Sequence, residues 1–259
     1  MKTYDKELEF AKNLAFKAGK IITKNFLHST ITTKSNLTPV TETDVAVSKM
    51  VISEVKKIFP DHAVLDEEVQ NQHIDSEYIW VCDPVDGTVP FSHHVPTSLF
   101  SLALCQNQEP VVAVTYDPFI NRLYYTKKDD HSYMNGKRIK TVKENFKKGD
   151  YVYGFPRRKN GFNINKFIEL FTEKGVNTSL IESIVYETML VASGIIKASI
   201  TSAASPWDRA AAILIVENAG GRCSDENGNP MPAFGHPKYF IATNGSVHEE
   251  VLSIIRKCF

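Results

Sequence analysis

The chain has 259 residues, of which 42% are hydrophobic and 23% charged, which is ordinary usage for a globular protein. This length allows one large domain or two closely packed halves. Lys and Arg together number 30, as do Asp and Glu, so the formal net charge is zero. Because nucleic-acid-binding proteins usually carry a basic excess, we expect a small-molecule partner and no nucleic acid.

Cysteine usage and the N-terminal segment indicate the compartment. The chain has four widely spaced cysteines and no C-x-x-C pair, the cysteines being Cys82, Cys105, Cys223 and Cys258. This spacing favours buried, reduced thiols over a disulfide framework or a zinc site. The first residues are charged and unlike a secretory signal, and no apolar stretch is long enough to span a bilayer. We therefore predict a cytoplasmic protein without a membrane partner.

The first half predicts two helices followed by strands. Apolar residues recur at helical spacing over residues 8–22, which indicates an amphipathic helix. Residues 29–39 are polar and predict a loop. A second helix is expected to begin near Thr43 or Asp44 and to end before Pro60. An antiparallel sheet is then predicted from strands at residues 63–65, 78–82, 99–105, 111–116 and 122–126, with a hairpin turn at residues 135–136.

The second half alternates strands with helices, which is typical of a layered α/β arrangement with a mixed sheet. Extended segments are predicted at residues 151–155, 179–185, 198–201 and 239–242. Helices are predicted at residues 164–171, 187–192, 207–218 and 247–257. We therefore expect two halves, residues 1–148 and residues 149–259, packed as one compact unit.

Residues 83–88, which read Asp-Pro-Val-Asp-Gly-Thr, are the sharpest local feature. Two carboxylates, Asp83 and Asp86, would repel each other in a tight turn unless a cation lay between them. Hard cations such as Mg²⁺ prefer oxygen ligands, and the carbonyl of Val85 is one more. Gly87 and Thr88 would expose backbone N–H groups suited to phosphate. The alternative is a proline turn with solvated acids.

Other acidic residues lie at the ends of predicted strands or at the starts of predicted helices. Glu67 and Glu68 follow a short strand, Asp208 opens an apolar helix, and Asp44 lies near a helix start. Each has an ordinary explanation, as a solvated turn, as a complement to the helix dipole or as an N-cap.

Four segments together resemble the inositol monophosphatase family. Residues 80–88 are similar to its first signature, and residues 206–211 with residues 217–221 to its second. The pair Glu67-Glu68 and residues 41–44 resemble two further family segments. All occur in family order over nearly the whole chain. The resemblance implies an α-β-α-β-α sandwich of the sugar-phosphatase type, in which the N-terminal half carries most metal ligands.

The resemblance also implies residue roles. Two or three Mg²⁺ ions would be held by oxygen donors, namely Glu67, Asp83, the Val85 carbonyl, Asp86 and Asp208, with Asp44 assisting a third ion through water. Thr88, bonded to Asp44, would orient the attacking water, and Glu67 would share in catalysis. The phosphate would contact Asp86 and the N–H groups of Gly87 and Thr88. Glu68 would be solvated or act behind the ligands.

The substrate side departs from the family pattern. Inositol phosphatases usually have Gly-Ser-Ala-Ala or Gly-Thr-Ala-Ala where this chain has residues 182–185, beginning Glu182-Ser183, and a glutamate where it has Thr201. These replacements should reshape the substrate wall, so the wall near Glu182, Ser183 and Thr201 is expected to select the substrate. Ser183 and Thr201 are its candidate binding residues. Residues 157–159, Arg-Arg-Lys, are a solvated turn or a cationic rim, and His93 and His94 are read as structural or substrate-side.

The function implied is a Mg²⁺-dependent, lithium-sensitive phosphomonoesterase that uses metal-activated water on inositol monophosphate or a similar sugar phosphate, as a homodimer. The alternatives are phosphatases for 3′-phosphoadenosine 5′-phosphate, fructose 1,6-bisphosphate or histidinol phosphate. A non-catalytic regulatory member is the remote alternative, and the retained acids argue against it. A nucleic-acid or scaffold protein is disfavoured by the neutral charge.

Overall fold

The computed structural model describes residues 3–28, 31–33, 39–69, 75–154, 161–202 and 204–259. Its helices are α1 Asp5–Asn25, α2 Glu42–Ile58, α3 Thr88–Ser92, α4 Ile164–Glu173, α5 Ile184–Ala192, α6 Pro206–Asn218 and α7 His248–Arg256. The strands of the first half are β1 Ile31–Thr33, β2 Pro39–Thr41, β3 Ala63–Asp66, β4 Tyr78–Asp86, β5 Leu99–Gln106, β6 Glu109–Asp117, β7 Arg122–Lys127, β8 Tyr133–Met134 and β9 Lys137–Arg138. Those of the second half are β10 Tyr151–Tyr153, β11 Asn177–Ser179, β12 Ala198–Ser202, β13 Arg222–Ser224 and β14 Tyr239–Thr243.

The first large sheet has seven strands in the order β3-β4-β5-β6-β7-β8-β9. The predicted antiparallel meander is confirmed from β4 onwards. The prediction of a wholly antiparallel sheet is wrong at one edge, because β3 pairs with β4 in parallel. Both strands therefore begin at the same end of the sheet.

The second large sheet has five strands in the order β11-β10-β12-β14-β13 and is mixed, as predicted. Strand β10 pairs in parallel with both β11 and β12, whereas β14 is antiparallel to β12 and β13. The carboxyl ends of the three parallel strands therefore meet at one edge, which is where open α/β sheets usually bind ligands.

Three apolar clusters confirm the α-β-α-β-α layering. Alternate residues of β4 point to opposite faces of the first sheet, so Trp80 packs with α1 and α2 while Val81 packs with α5 and α6. Helices α5 and α6 lie between the two sheets, and α4 and α7 cover the outer face of the second sheet. The central helix layer thus carries Asp208 to the first sheet.

Local predictions failed where short-range signals were weak. Residues 29–39 were expected to be a loop, but residues 31–33 form β1 and Pro39 begins β2, and the two strands pair antiparallel. Residues 29–30 and 34–38 lie outside the described residues. The extended segment predicted at residues 179–185 ends early, because α5 begins at Ile184. The four cysteines are free and buried, as predicted. In the described part of the chain, no helix is long and apolar enough to cross a membrane.

Candidate metal centre

The carboxyl end of β4 contains an irregularity that places two acids together. Asp83 pairs with Ser101 and Asp86 with Leu99, so three steps on β4 match two on β5. In a regular strand, residues three apart face opposite sides of the sheet. The extra residue of a bulge reverses that relation, and Pro84, which has no N–H to donate, fits such a break in the ladder. The predicted reversing turn is therefore wrong, because the strand continues through residues 83–86.

Three carboxylates converge at this bulge. Asp83 and Asp86 come from β4 and Asp208 from the first turn of α6, and one oxygen of each lies within 4.8 Å of the others. Asp83 and Asp86 are buried, and Asp208 is partly exposed. The bulge and the central helix layer thus bring together three of the five predicted metal ligands.

The electrostatics of the cluster favour a bound cation. Burial, followed by the neighbouring carboxylates Glu67, Asp86 and Asp208, raises the pKa of Asp83 well above its usual value. Burial and the charge of Asp86 likewise raise the pKa of Asp208. Burial raises the pKa of Asp86 to about 6, although its hydrogen bonds oppose this. A divalent cation would offset both desolvation and repulsion, so the oxygen donor set fits Mg²⁺.

Asp44 and Asp208 are held in the same way, each by a capping box at the start of its helix. Thr41 caps α2 and Ser205 caps α6, and the acid three residues later, Asp44 or Asp208, accepts a bond from the backbone N–H of its cap residue in a capping box. The second helix therefore begins at Glu42, with Asp44 three positions inside its cap rather than at the N-cap. Each acid uses Oδ2 for its helix, which leaves Oδ1 available to the site.

Thr88 lies between Asp44 and the bulge. Its hydroxyl is 3.1 Å from the carbonyl oxygen of Val85 and 3.4 Å from Asp44 Oδ1. Burial is the main cause that raises the pKa of Asp44 to about 6. The predicted contact between Thr88 and Asp44 is thus present in the structure, with the Val85 carbonyl as a second acceptor.

Gly87 occupies a position that excludes a side chain. Its φ is +86°, and a Cβ there would lie 2.9 Å from the Cβ of Ser183. Since glycine adopts positive φ without steric cost, this residue permits close contact between the bulge and the second half. Helix α3 starts directly after it, at Thr88.

Asp86 also joins the two halves. Its carboxylate accepts the N–H groups of three residues at the start of α5, namely Ile184 at 3.1 Å, Val185 at 3.0 Å and Tyr186 at 3.3 Å. The hydroxyl of Ser183 donates to the same carboxylate. A carboxylate at a helix N-terminus complements the helix dipole. Because Asp86 is remote in sequence from α5, this contact had no signal in the sequence.

The remaining predicted residues surround the cluster. Ser183 is buried and engaged with Asp86. Thr201 is 7% exposed, and its buried hydroxyl has no hydrogen-bond partner within the described residues. Glu67 stands outside the group of three but raises the pKa of both Asp83 and Asp208. His93 and His94 are exposed on the surface near α3, and residues 157–159 lie outside the described residues.

Two further acids were not predicted as site residues. Asp66 is buried and accepts the Ser48 hydroxyl at 2.7 Å and the Glu68 N–H at 2.9 Å, so it fixes the turn that carries Glu67. Glu187, on α5, is buried and accepts the Ile181 N–H at 2.8 Å. Burial is the main cause that raises its pKa to about 7. Both bind backbone N–H groups a few residues away in sequence, and no motif in the sequence marks either acid for this role.

Known proteins place this arrangement in a family. The inositol monophosphatase family profile matches residues 3–258. A fructose-1,6-bisphosphatase/inositol-1-monophosphatase of Aquifex aeolicus is 33% identical, over 99% of this chain and 98% of its own length. A histidinol-phosphatase of Chlorobaculum parvum is 30% identical, over 96% of each. An IMPase structure from Thermotoga maritima superposes with a TM-score of 0.88 at 27% identity, covering 98% of each chain. The chain therefore belongs to the inositol monophosphatase family of phosphoric monoester hydrolases.

Proposed function

We propose that the chain is a Mg²⁺-dependent phosphomonoesterase acting on inositol monophosphate or a similar sugar phosphate. The observation that carries the proposal is the convergence of Asp83, Asp86 and Asp208, whose oxygens lie within 4.8 Å of one another. Repelling carboxylates at one point of a fold are best explained by a cation that they share. Membership of a phosphatase family supports a phosphate ester as the substrate.

The proposed ligands follow from the oxygen donors present. One Mg²⁺ ion would be held by Glu67, Asp83 and the Val85 carbonyl, and a second by Asp83, Asp86 and Asp208. Asp44 and Glu67 would support a third. Bound Mg²⁺ ions supply neutralisation of the phosphoryl charge and a lowered pKa for coordinated water. We also propose that Li⁺ inhibits the reaction.

The chain's own residues position the nucleophile. The hydroxyl of Thr88 has two acceptors, Asp44 Oδ1 and the Val85 carbonyl. While its proton is directed to either of them, its lone pairs can accept a hydrogen bond from a water molecule. That water is then held with its own lone pair free for phosphorus. Since phosphoryl transfer depends mostly on positioning and charge neutralisation, no covalent nucleophile is needed.

The phosphate would rest against the start of α3. We expect the N–H groups of Gly87 and Thr88, which directly follow the acid Asp86 at the start of α3, to face the phosphate. Asp86, held by α5, forms the boundary with the substrate side. Ser183 and Thr201 would limit the space for the leaving alcohol.

The leaving group is open to several alcohols. Relatives with fructose-1,6-bisphosphatase/inositol-1-monophosphatase and histidinol-phosphatase activities match nearly the whole chain, so these substrates are the main alternatives, followed by 3′-phosphoadenosine 5′-phosphate. A non-catalytic role is disfavoured because every proposed acid ligand is retained.

The proposal is tested by phosphate release from a panel of phosphomonoesters with Mg²⁺, with EDTA, and with Mg²⁺ plus Li⁺. Magnesium-dependent release that EDTA removes is the expected result. A folded protein that binds Mg²⁺ and releases phosphate from no panel member would contradict it.

We also propose a cytoplasmic homodimer. Buried free thiols suit a reducing compartment. The ring of Phe26 contacts those of His94 and Phe119. The residue that follows each of these three in sequence is apolar and exposed, namely Leu27, Val95 and Ile120. These side chains are the proposed dimer interface. Light scattering should give a dimer for the native chain and a monomer for Ile120→Glu, while Ile168→Glu, on the exposed surface of α4, should stay dimeric.

A further inference from the structure

The turn before α5 contains a residue in an unfavourable backbone conformation. Glu182 has a φ of +63°, which lies in a region that residues other than Gly, Asn and Asp rarely adopt. Such conformations persist only where the surroundings fix them, and they cluster at ligand sites. Its side chain is exposed, so packing of that side chain in the core does not offset the cost of the unfavourable backbone conformation.

Hydrogen bonds on both sides hold this turn. Before Glu182, the N–H of Ile181 donates to the buried carboxyl of Glu187 at 2.8 Å. After it, the Ser183 hydroxyl and the N–H groups that follow donate to Asp86. The backbone of Glu182 is therefore anchored to the acid cluster itself and cannot relax independently of it.

The same contacts place Glu182 at the edge of the proposed phosphate site. Ser183 packs against Gly87, since a Cβ on Gly87 would lie 2.9 Å from that of Ser183. Glu182 is the next residue along the chain, so its Cα lies about 3.8 Å from that of Ser183. We expect its exposed carboxylate to lie at the rim of the proposed phosphate site, where charges interact over the Debye length of about 8 Å.

We propose that Glu182 is a specificity-determining residue whose carboxylate disfavours substrates with a second phosphate. The favoured class is a monophosphorylated alcohol that is otherwise uncharged or cationic, such as a polyol or an amino alcohol. No ion pair among the described residues involves Glu182. The inference rests on the proposed function, because it concerns the substrate of that site.

A charge series separates this role from a structural one. The ratio of kcat/KM for fructose 1,6-bisphosphate to that for inositol 1-phosphate should rise about fivefold in Glu182→Gln, and further in Glu182→Lys, as expected for a charge at this range. The rise should shrink in 0.5 M salt, because screening weakens it. Glu173→Gln, an exposed glutamate at the end of α4, is the matched control and should leave the ratio unchanged.

Glu182→Gly provides a second measurement. Glycine suits the positive φ, so the variant should be at least as thermostable as the native chain and still show the raised ratio. An unchanged ratio across the series, in an enzyme that hydrolyses inositol 1-phosphate, would overturn the role of Glu182 and leave the proposed function standing. A native chain that hydrolyses no phosphomonoester with Mg²⁺ would overturn both.

Discussion

The site has two regions that are built in different ways. The metal end contains Asp44, Asp83 and Asp208, and the substrate wall contains Glu182 and Ser183. At the metal end, Asp44 and Asp208 are each held by a capping box within their own helix, and Asp83 lies on a buried strand. At the wall, Ser183 donates to Asp86, which comes from β4, and Ile181, which precedes Glu182, donates to Glu187 of α5. Local capping thus fixes Asp44 and Asp208, whereas the contact that joins the wall to the metal end, between Ser183 and Asp86, is long-range.

The largest effect on activity is expected from replacing Asp86, the acid that contacts both regions. Asp86→Asn should reduce Mg²⁺-dependent turnover by more than about 100-fold, beyond the loss typical for residues behind the ligands. Asparagine can still accept the N–H groups of Val185 and Tyr186 through its single carbonyl oxygen, although its NH₂ group would face the N–H of Ile184. The circular dichroism spectrum should therefore be nearly unchanged. Near-native phosphate release from a folded Asp86→Asn protein would remove Asp86 from the metal centre. Asp129→Asn, at an exposed turn, is the control.

A smaller loss is expected at Thr88, which belongs to the metal end. Thr88→Val keeps the shape but loses the hydroxyl that orients water, so kcat should fall by about 100-fold, within the usual range for positioned proton acceptors and donors. Thr88→Ser should recover most of the rate. Equal rates in the valine and serine variants, by steady-state phosphate release, would exclude the proposed role.

Ser183 lies where the two regions meet. Ser183→Ala removes the hydroxyl bond to Asp86, and loss of such an orienting contact usually weakens metal binding about tenfold or more. Ser183→Thr retains the hydroxyl and should restore affinity. The Kd for Mg²⁺, measured calorimetrically without substrate, is the readout. An unchanged Kd in Ser183→Ala would mean that α5 alone orients Asp86.

The smallest effect is expected on folding stability. The pH dependence of that stability reflects the protonation of the acid cluster. Without metal, the pKa values of Asp44 and Asp86 are raised to about 6, so the folded state retains protons that the unfolded chain releases above pH 4. Stability from these groups is therefore lost as pH rises from about 4 to 6. Added Mg²⁺ should raise Tm more at pH 7.5 than at pH 5, by at least about 5 °C.

The comparison must be made with and without Mg²⁺ at each pH, because another group has the opposite effect. Burial lowers the pKa of His248 to about 4, so its contribution to stability is lost as pH falls from 6.5 towards 4. The difference caused by Mg²⁺ cancels this term. A larger Mg²⁺-induced shift at pH 5 than at pH 7.5 would contradict the raised acid pKa values.

The sequence predicted the metal end more fully than the wall, for physical reasons. Hydrophobic periodicity located α1 and α6 and the meander, because burial on one face imposes those periods. The acids at the ends of β4 and at the start of α6 followed from the same elements. The bulge at residues 83–86 and the parallel edge strand were missed, since register and strand direction depend on distant partners. Ser183 depends on Asp86, which lies on another element across the fold, so its partner could not be predicted from local sequence.

The most direct test of the central claim is a calorimetric titration of Mg²⁺ into the native chain and into Asp208→Asn at pH 7.5. The account predicts saturable binding to the native chain and a loss of at least one site, or a sharply weaker Kd, in the folded variant. Identical titrations for the two proteins would show that Asp83, Asp86 and Asp208 do not share a metal ion.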